Sequence, residues 1–280
     1  MTSAQTRTLP KLSVIIPSYN QGKFIERTIK SIIDQNYPDL EIILMDGGST
    51  DETMEIVEKY RPHFAHIQSE PDGGQTAAIA AGFDRATGDF ISWLNSDDTY
   101  NPGALLKIGT YLADHPKVKF IYGDMWLIDA DDRPFAFKRS VRFSLGVMKY
   151  AFLTVPQMSA YWSRDLYHAV GGMDRNLRFC MDYDLFVRLA SASAPVCIRG
   201  DIGNFRIHGE SKTSTLETVR QAEDKVVQER YCAVKPSNAI AFRLARLFWT
   251  GVLILRFIEN GSLISRLRRR FGNNMKSECG

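Results

Sequence analysis

Residues 12–20 of the chain read LSVIIPSYN. The run 12–16 is apolar without alternation, which is typical of a parallel strand that is covered on both faces. The run stops at Pro17 and Ser18, and apolar residues at helical spacing follow between Phe24 and Ile33. This order of strand, polar turn and helix predicts the first βα unit of a parallel sheet.

The same order repeats along the next hundred residues. Apolar runs predict further strands at 41–45, 66–69, 90–94 and 120–122, and helical patterns fall near 52–60, 76–86 and 102–115. Strands that alternate with helices imply right-handed crossovers. We therefore expect an α/β fold with a mostly parallel central sheet flanked by helices. Residues 125–160 are aromatic and basic with weak periodicity, and we expect them to form a long excursion over the site.

Composition and charge narrow the class of protein. The 280 residues are 44% hydrophobic and 24% charged, as in ordinary globular proteins. The net charge of +3 divides into +7 from residue 235 onward and −4 before it, so no folded basic face for nucleic acid is expected. The four cysteines form no CxxC pair, which disfavours a zinc site or a disulfide framework. Residues 1–13 contain no apolar signal core, and we expect a cytoplasmic protein.

Polar residues follow four of the predicted strands. Tyr19 and Asn20 come after the first, Asp46 after the second, residues 70–72 after the third, and 95–98 after the fourth. Each cluster alone could be a set of caps and turn formers. In a parallel sheet, however, the carboxyl ends of the strands share one edge, where ligands bind. Their convergence on that edge favours a binding site.

The residue types at this edge suit a nucleotide. The Tyr19 ring can stack on a base, and the Asp46 carboxylate can accept an imide proton. Asp97 and Asp98 are hard oxygen ligands for Mg²⁺ or Mn²⁺, which would neutralise a departing pyrophosphate. Asp182, at the start of a later helix, could act as a general base. His208 could be a metal ligand, a phosphate contact or a structural histidine.

Six segments carry a resemblance to a known family. They are 14–20 (VIIPSYN), 42–51 (IILMDGGSTD), 82–89 (GFDRATGD), 93–98 (WLNSDD), 181–185 (MDYDL) and 206–208 (RIH). In this order, over about residues 10–215, the chain resembles family 2 nucleotide-sugar glycosyltransferases, which have the Rossmann-like GT-A fold. The resemblance implies a GT-A catalytic domain over 1–215, with a nucleotide-binding half at about 10–125 and an acceptor half at about 126–215. Residues 216–280 would form a helical, basic C-terminal extension.

The resemblance also implies a role for each matching position. The nucleotide-binding residues would be Pro17, Tyr19, Asn20, Asp46, Gln75, Asn95 and Ser96. Asp97 and His208 would hold Mn²⁺ or Mg²⁺, and Asp182 would be the catalytic base. The reaction would move a sugar, with inversion, from a nucleotide donor, usually UDP-linked, to a glycan or lipid-linked acceptor in surface-polysaccharide biosynthesis.

Three positions depart from the family pattern. Asn95 replaces the first acid of the Asp-x-Asp motif, Gly47 replaces the second acid of Asp-Asp-Gly-Ser, and Met181 replaces the acid before Asp182. The next acid, Asp184, has an arginine four residues later, a spacing that fits a structural ion pair. This pairing leaves Asp182 as the expected base.

Two other functions remain open on the sequence. A sugar-nucleotide-binding or scaffold protein without catalysis would explain Asn95 and Met181, but the presence of Asp97, Asp182 and His208 together argues against it. A nucleotidyltransferase would need a basic, glycine-rich phosphate loop after the first strand. Residues 17–22 contain no basic residue, which disfavours that reading.

The C-terminal region has a distinct character. Nine uncharged residues, 247–255, lie between Arg246 and Arg256, too few for a spanning helix of about 20 residues. Arginines 266 and 268–270 follow. Either this segment is an interfacial helix on an anionic membrane, or it packs on its own domain or on a second copy in a homodimer. The aromatic residues of 135–165 could form an acceptor platform, but we expect core positions for most of them.

Overall fold

A computed structural model describes residues 8–209 and 217–262. The strands are β1 (Leu12–Ser18), β2 (Leu40–Asp46), β3 (His66–Ser69), β4 (Phe90–Trp93), β5 (Thr99–Tyr100), β6 (Phe120–Ile128), β7 (Pro134–Lys138), β8 (Ala160–Ser163) and β9 (Val196–Arg206). The helices are α1 (Gly22–Ile33), α2 (Thr53–Lys59), α3 (Gln75–Arg85), α4 (Ala104–Asp114), α5 (Leu145–Tyr150), α6 (Arg164–Ala169), α7 (Met181–Ala192), α8 (Glu217–Tyr231) and α9 (Ala239–Glu259).

The strands form one central sheet in the order β3-β2-β1-β4-β8-β6-β9-β5, with β7 paired to β6. Strands β3, β2, β1 and β4 are parallel to one another. Strand β8 enters antiparallel between β4 and β6, and β9 then pairs parallel with β6. The strand order reverses between β1 and β4. In open α/β sheets, ligands bind at such a switch point.

Alternate residues of β1 explain the two layers around the sheet. Ile15 packs with α3 and α7 on one face, whereas Val14 and Ile16 pack with α1, α2 and α4 on the other. Both faces are covered, which is why the consecutive residues 14–16 of this strand are all apolar. The fold confirms the expected α/β class with helices on both sides.

The second half of the chain corrects the sequence-based assignment. The fifth predicted strand, 120–122, is the start of the nine-residue β6. Residues 125–160 are not one long excursion, because they complete β6 and form β7, α5 and a short 3-10 helix before β8. Strand β8 reads AYWS and inserts in the middle of the sheet with Tyr161 and Trp162 fully buried. A four-residue central strand has no room for a periodic pattern.

Glu41 stabilises the sheet at the edge opposite the carboxyl ends of the parallel strands. Glu41 is buried, and its carboxylate accepts hydrogen bonds from the Ser13 hydroxyl at 2.6 Å and from the Thr87 hydroxyl at 2.6 Å. The Thr87 backbone N–H donates a third, at 2.8 Å. Burial alone would raise the pKa of Glu41, but these hydrogen bonds outweigh it and lower the pKa.

The two C-terminal helices pack against the rest of the molecule. Val227 of α8 is fully buried in the core that contains α7. In α9, Trp249 and Leu253 pack near Val141 and Val147 of the α5 region. The predicted domain boundary at 215 and arginines 266 and 268–270 lie outside the described residues. Among the helices of the described part, none is long and apolar enough to cross a membrane.

Candidate active site

A cleft of about 660 Å³ opens at the carboxyl ends of β1, β2 and β4. This volume lies in the usual range for small-molecule sites. Six of the predicted site residues line the cleft: Pro17, Tyr19, Gln75, Asn95, Ser96 and Asp97. The other lining residues are Ser18, Gln21, Gly47, Pro71, Asp72, Gly73, Gly74, Thr76, Ala78, Arg175, Leu177 and Arg178.

Tyr19 presents an aromatic face at the cleft. Its side chain is 61% exposed, although large aromatic residues are normally buried. A Cβ atom on Gly47 would lie 3.3 Å from the Tyr19 ring and 3.4 Å from the Asp72 carboxylate. The glycine at the end of β2 therefore lets the tyrosine and the β3–α3 loop approach each other over this part of the cleft.

Asp46 lies behind the cleft. It is 2% exposed, and its carboxylate accepts hydrogen bonds from the N–H groups of Gly48 at 3.1 Å and Ser49 at 2.8 Å. The hydroxyls of Ser49 and Ser69 donate two more, at 2.5 and 2.7 Å. Gly48 adopts φ +83, which favours glycine. Asp46 thus fixes the turn after β2, and its predicted contact with the base is untested.

Asn20 also supports this edge without lining the cleft. Its side-chain oxygen accepts from the Thr50 N–H at 2.9 Å, and its own N–H donates to the Ser49 hydroxyl at 2.8 Å. Its φ of 51 is in the left-handed region that asparagine tolerates. Asn20 therefore joins the turns that follow β1 and β2, and its predicted contact with the nucleotide is also untested.

Asn95 joins the side chains of Gln75 and Asp98 after the end of β4. Its side-chain oxygen accepts from the Gln75 amide at 2.9 Å, and its own amide donates to the Asp98 carboxylate at 3.2 Å. An aspartate at position 95 would instead place a second carboxylate against Asp98. The contact gives a physical reason for the neutral residue in the first position of the motif.

Asp98 is buried, unlike its neighbour Asp97. Its carboxylate is 1% exposed and accepts from the Arg206 N–H at 2.9 Å. Burial, followed by the charge of Asp97, raises the pKa of Asp98 well above the ordinary value. Because its oxygens face Asn95 and the backbone of β9, Asp98 supports the loop and does not line the cleft.

The two predicted metal ligands meet. The Asp97 carboxylate oxygen and His208 Nε2 are 3.0 Å apart although 111 residues separate them in sequence. The Asp97 side chain is 23% exposed and that of His208 is 6% exposed. Phe24 lies against the imidazole, with a ring-centroid distance of 4.6 Å. Within the described residues, no group of three or more His, Cys, Asp and Glu side chains could hold a metal.

Arg206 is a positioning residue that the sequence analysis missed. Its guanidinium is fully buried and donates to the Asp97 carbonyl at 2.6 Å, to the Asp129 carbonyl at 3.0 Å and to the Asp132 carboxylate at 2.5 Å. It also lies 5.1 Å from the centre of the Phe24 ring. Arg206 therefore fixes the backbone that carries Asp97 and the strand that leads to His208. Its partners are mainly backbone carbonyls of residues distant in sequence, so no sequence pattern indicated this role.

Asp182 and Asp184 have different environments, as the spacing predicted. Asp184 is fully buried and accepts from Arg188 at 2.9 and 2.6 Å, from Arg230 at 3.2 Å and from the Tyr231 hydroxyl at 2.8 Å. This confirms the expected ion pair with Arg188. Asp182 is partly exposed at the second position of α7, where its carboxylate accepts from the Tyr183 N–H at 2.7 Å. It is not among the residues that line the cleft.

The start of α7 is held by a residue from α8. The Glu223 carboxylate accepts from the N–H groups of Arg178, Phe179 and Cys180, each at 2.8 Å. These N–H groups precede the first turn, where backbone donors lack helical partners. A negative charge there also suits the helix dipole. The segment that leads to Asp182 is thereby fixed.

Two arginines of the segment before α7 also line the cleft and were not predicted. Arg175 is exposed and donates to the Asp84 carboxylate at 2.8 Å, and Arg178 lies on the same wall. Of the aromatic residues considered for an acceptor platform, Tyr150, Tyr161 and Trp162 are buried, and Phe137 is partly buried. Phe135 and Phe152 are 55% and 61% exposed.

Solved structures share this fold. The crystal structure of S. aureus TarS in complex with UDP-GlcNAc superposes with a TM-score of 0.66 at 18% identity, covering 85% of this chain and 71% of that chain. The mannosyltransferase PcManGT from Pyrobaculum calidifontis, in complex with GDP-Man and Mn²⁺, gives a TM-score of 0.62 at 17% identity, with 96% and 81% covered. The sheet and its flanking helices therefore define the GT-A fold of glycosyltransferases.

Sequence comparisons give the family. The family described as Glycosyl transferase family 2 matches residues 13–148. An uncharacterized glycosyltransferase of Mycobacterium tuberculosis is 32% identical over 202 residues, which cover 71% of this chain and 74% of that protein. A PGL/p-HBAD biosynthesis glycosyltransferase of the same species is 28% identical over 191 residues, covering 67% and 72%. The chain belongs to glycosyl transferase family 2 and is a glycosyltransferase.

Proposed function

We propose that this enzyme is an inverting glycosyltransferase that moves a sugar from a UDP-sugar to a hydroxyl of a glycan or lipid-linked acceptor. The observation that carries the proposal is the 3.0 Å contact of His208 with Asp97, which lines the cleft together with Tyr19. The UDP-GlcNAc in TarS and the GDP-Man in PcManGT support a nucleotide-sugar donor for this fold. The choice of uridine rests on the resemblance of residues 14–20 and 42–51 to the family.

Asp97 and His208 provide two metal-ligating atoms that suit a divalent cation. Asp97 offers a carboxylate oxygen and His208 an imidazole nitrogen, 3.0 Å apart. Mg²⁺ and Mn²⁺ sites in nucleotide enzymes commonly use one or two protein ligands and take the rest from phosphates and water. When bound, the ion would neutralise charge on the leaving diphosphate. Asp97 and His208 would hold it, with Arg206 fixing both.

The remaining cleft residues would orient the donor. Tyr19 would stack on the base, since its exposed ring is already held against Gly47. The hydrogen-bonded amides of Gln75 and Asn95 would contact the ribose or the sugar. Asp46 and Asn20 would act indirectly by fixing the turns after β2 and β1.

Asp182 would be the general base. Of the two acids in the first turn of α7, Asp184 is committed to buried ion pairs, whereas Asp182 is partly exposed. Asp182 would take the proton of the acceptor hydroxyl as its oxygen bonds to the anomeric carbon. The bond from that carbon to the phosphate oxygen breaks, and its electron pair leaves with the nucleoside diphosphate. Attack from the opposite face converts an α-linked donor into a β-linked product.

Calorimetry of UDP, GDP and other nucleotides, with and without Mn²⁺, tests the site. We expect UDP to bind more tightly with Mn²⁺ and expect Asp97→Ala to remove that dependence. An affinity for UDP that is the same with and without Mn²⁺ would refute the metal assignment. The absence of binding to every nucleotide would refute the proposed donor. Asp182→Asn should bind UDP like the wild type but release UDP from UDP-sugars about 10²–10⁴ times more slowly.

The setting follows from the family and is also a proposal. We place the enzyme in the cytoplasm, at the inner face of the cell membrane, in the assembly of surface polysaccharide on a lipid-linked acceptor. Release of UDP from a UDP-sugar panel, with and without lipid-linked sugars, would identify donor and acceptor. A chain that binds UDP but never releases it from any donor would instead be a binding protein.

A further inference from the structure

Helix α9 carries two apolar faces. Phe242, Trp249 and Leu253 lie on the packed face, against the α5 region. On the opposite face, six large apolar residues are each more than half exposed: Ile240, Leu244, Leu247, Phe248, Leu255 and Ile258. The exposed residues recur at intervals of three, four and seven, so they form one stripe along the helix. Over its nineteen positions the stripe is roughly 27 Å long.

The exposed apolar area of this stripe is larger than is usual for a monomeric protein. With about 200 Å² for a fully exposed large side chain, the six residues present roughly 800 Å² of surface. The largest apolar patch of a typical monomeric protein is about 300–600 Å². Exposure of this extent on one helix face is typical of a protein or membrane contact.

The charges around the stripe identify the partner. Arg243 and Arg246 are exposed on one border, and the only acid of α9, Glu259, is its last residue. Beyond it, residues 263–280 contain five Lys and Arg against one Glu. We propose that the exposed stripe of α9 lies on an anionic membrane surface, with its axis in the plane of the headgroups. An apolar face bordered by arginines suits anionic lipid, whereas two copies face to face would bring like charges together.

The stripe lies beside the acceptor half of the enzyme. Helix α9 packs on α5, and the Tyr183 hydroxyl of α7 donates to the Lys149 carbonyl of α5 at 2.8 Å. Helix α7 begins one residue before Asp182. Membrane docking would therefore bring the proposed base close to acceptors that are anchored in lipid. This last step rests on the proposed function, but the membrane contact itself does not.

Vesicle flotation of the full chain tests the proposal. We expect binding to vesicles with about 30 mol % phosphatidylglycerol, weak binding to pure phosphatidylcholine, and loss of binding as salt is raised. Leu247→Glu with Phe248→Glu should abolish binding. Leu106→Glu, which changes a half-exposed leucine on α4, is the matched control and should bind like the wild type. Arg243→Gln with Arg246→Gln should lower partitioning roughly thirty-fold.

Circular dichroism and UDP calorimetry on each variant separate docking from folding and from donor binding. The proposal is overturned if the wild type does not bind anionic vesicles, or if the Leu247→Glu/Phe248→Glu variant binds them like the wild type. It is also overturned if light scattering finds a wild-type dimer that this variant converts to a monomer, because a second copy would then cover the stripe. Failure of UDP binding with intact flotation would refute only the proposed donor.

Discussion

Replacing Asp184 with asparagine should destabilise the enzyme, although the side chain takes no part in the proposed chemistry. The carboxylate is 1% exposed and accepts four hydrogen bonds from three side chains. Asparagine keeps the shape but removes the charge opposite Arg188 and Arg230. Breaking a buried ion pair on one side costs about 3–5 kcal/mol. At about 2–4 °C per kcal/mol, the melting temperature should fall by roughly 6–20 °C.

The matched control is Asp182→Asn, two residues earlier in the same helix turn. Asp182 is partly exposed, so its loss should cost less than about 1 kcal/mol, mainly through the helix dipole. Sugar transfer should nevertheless fall by about 10²–10⁴. Thermal unfolding followed by circular dichroism and a UDP-release assay measure the two effects. The reasoning is refuted if Asp184→Asn unfolds like the wild type, or if Asp182→Asn keeps full activity.

Three further predictions concern the site and the sheet. Asn95→Asp should destabilise the protein by roughly 1–3 kcal/mol in urea unfolding, because it puts a second carboxylate against the buried Asp98. If stability is unchanged and Mn²⁺ binds more tightly, position 95 is instead a metal ligand. Arg206→Lys should weaken Mn²⁺ binding by about 10–100-fold in calorimetry, because lysine cannot bridge the same backbone groups. An unchanged affinity for Mn²⁺ would contradict the positioning role of Arg206. Hydrogen bonds lower the pKa of Glu41 in the folded protein. They therefore stabilise the fold at a pH above the pKa of Glu41 in the unfolded chain, which is near 4.3. This stabilisation is lost as the pH falls through the lower pKa that Glu41 has in the folded protein. Glu41→Gln should therefore flatten the acid side of the stability profile, and an unchanged profile would assign that pH dependence to other acids.

The sequence was most informative where both sides of a strand are covered. Strands β1, β2 and β4 are mainly apolar and buried, and polar clusters follow them, so their positions and the shared edge could be predicted. The short strand β8 could not, because its four residues lie between a 3-10 helix and a helix cap without any repeat. Its burial depends on β4 and β6, which are distant in sequence.

The sequence identified residues of the candidate site but not the hydrogen bonds that hold them. Asp97 and His208 were chosen for their chemistry, and the fold brings them together. Asp46 was expected to touch the base; its carboxylate accepts four hydrogen bonds, and the contact with the base stays a prediction. Arg206 was missed because its partners are mainly backbone carbonyls, which no side-chain pattern identifies. Long-range hydrogen bonds of this kind become visible only in the folded chain.

The contacts of Glu223 have a consequence for how relatives of this enzyme can be recombined. Helix α8 lies outside residues 13–148, which carry the family match, yet it caps the start of α7 and pairs with Asp184. A polypeptide that ends at residue 215 would leave three backbone donors and a buried carboxylate without these partners. Swapping the C-terminal third between two family members should therefore fail unless the incoming segment brings an acid at position 223 and a cation at 230. Helix α8 is structurally coupled to α7 and cannot be exchanged as an independent module.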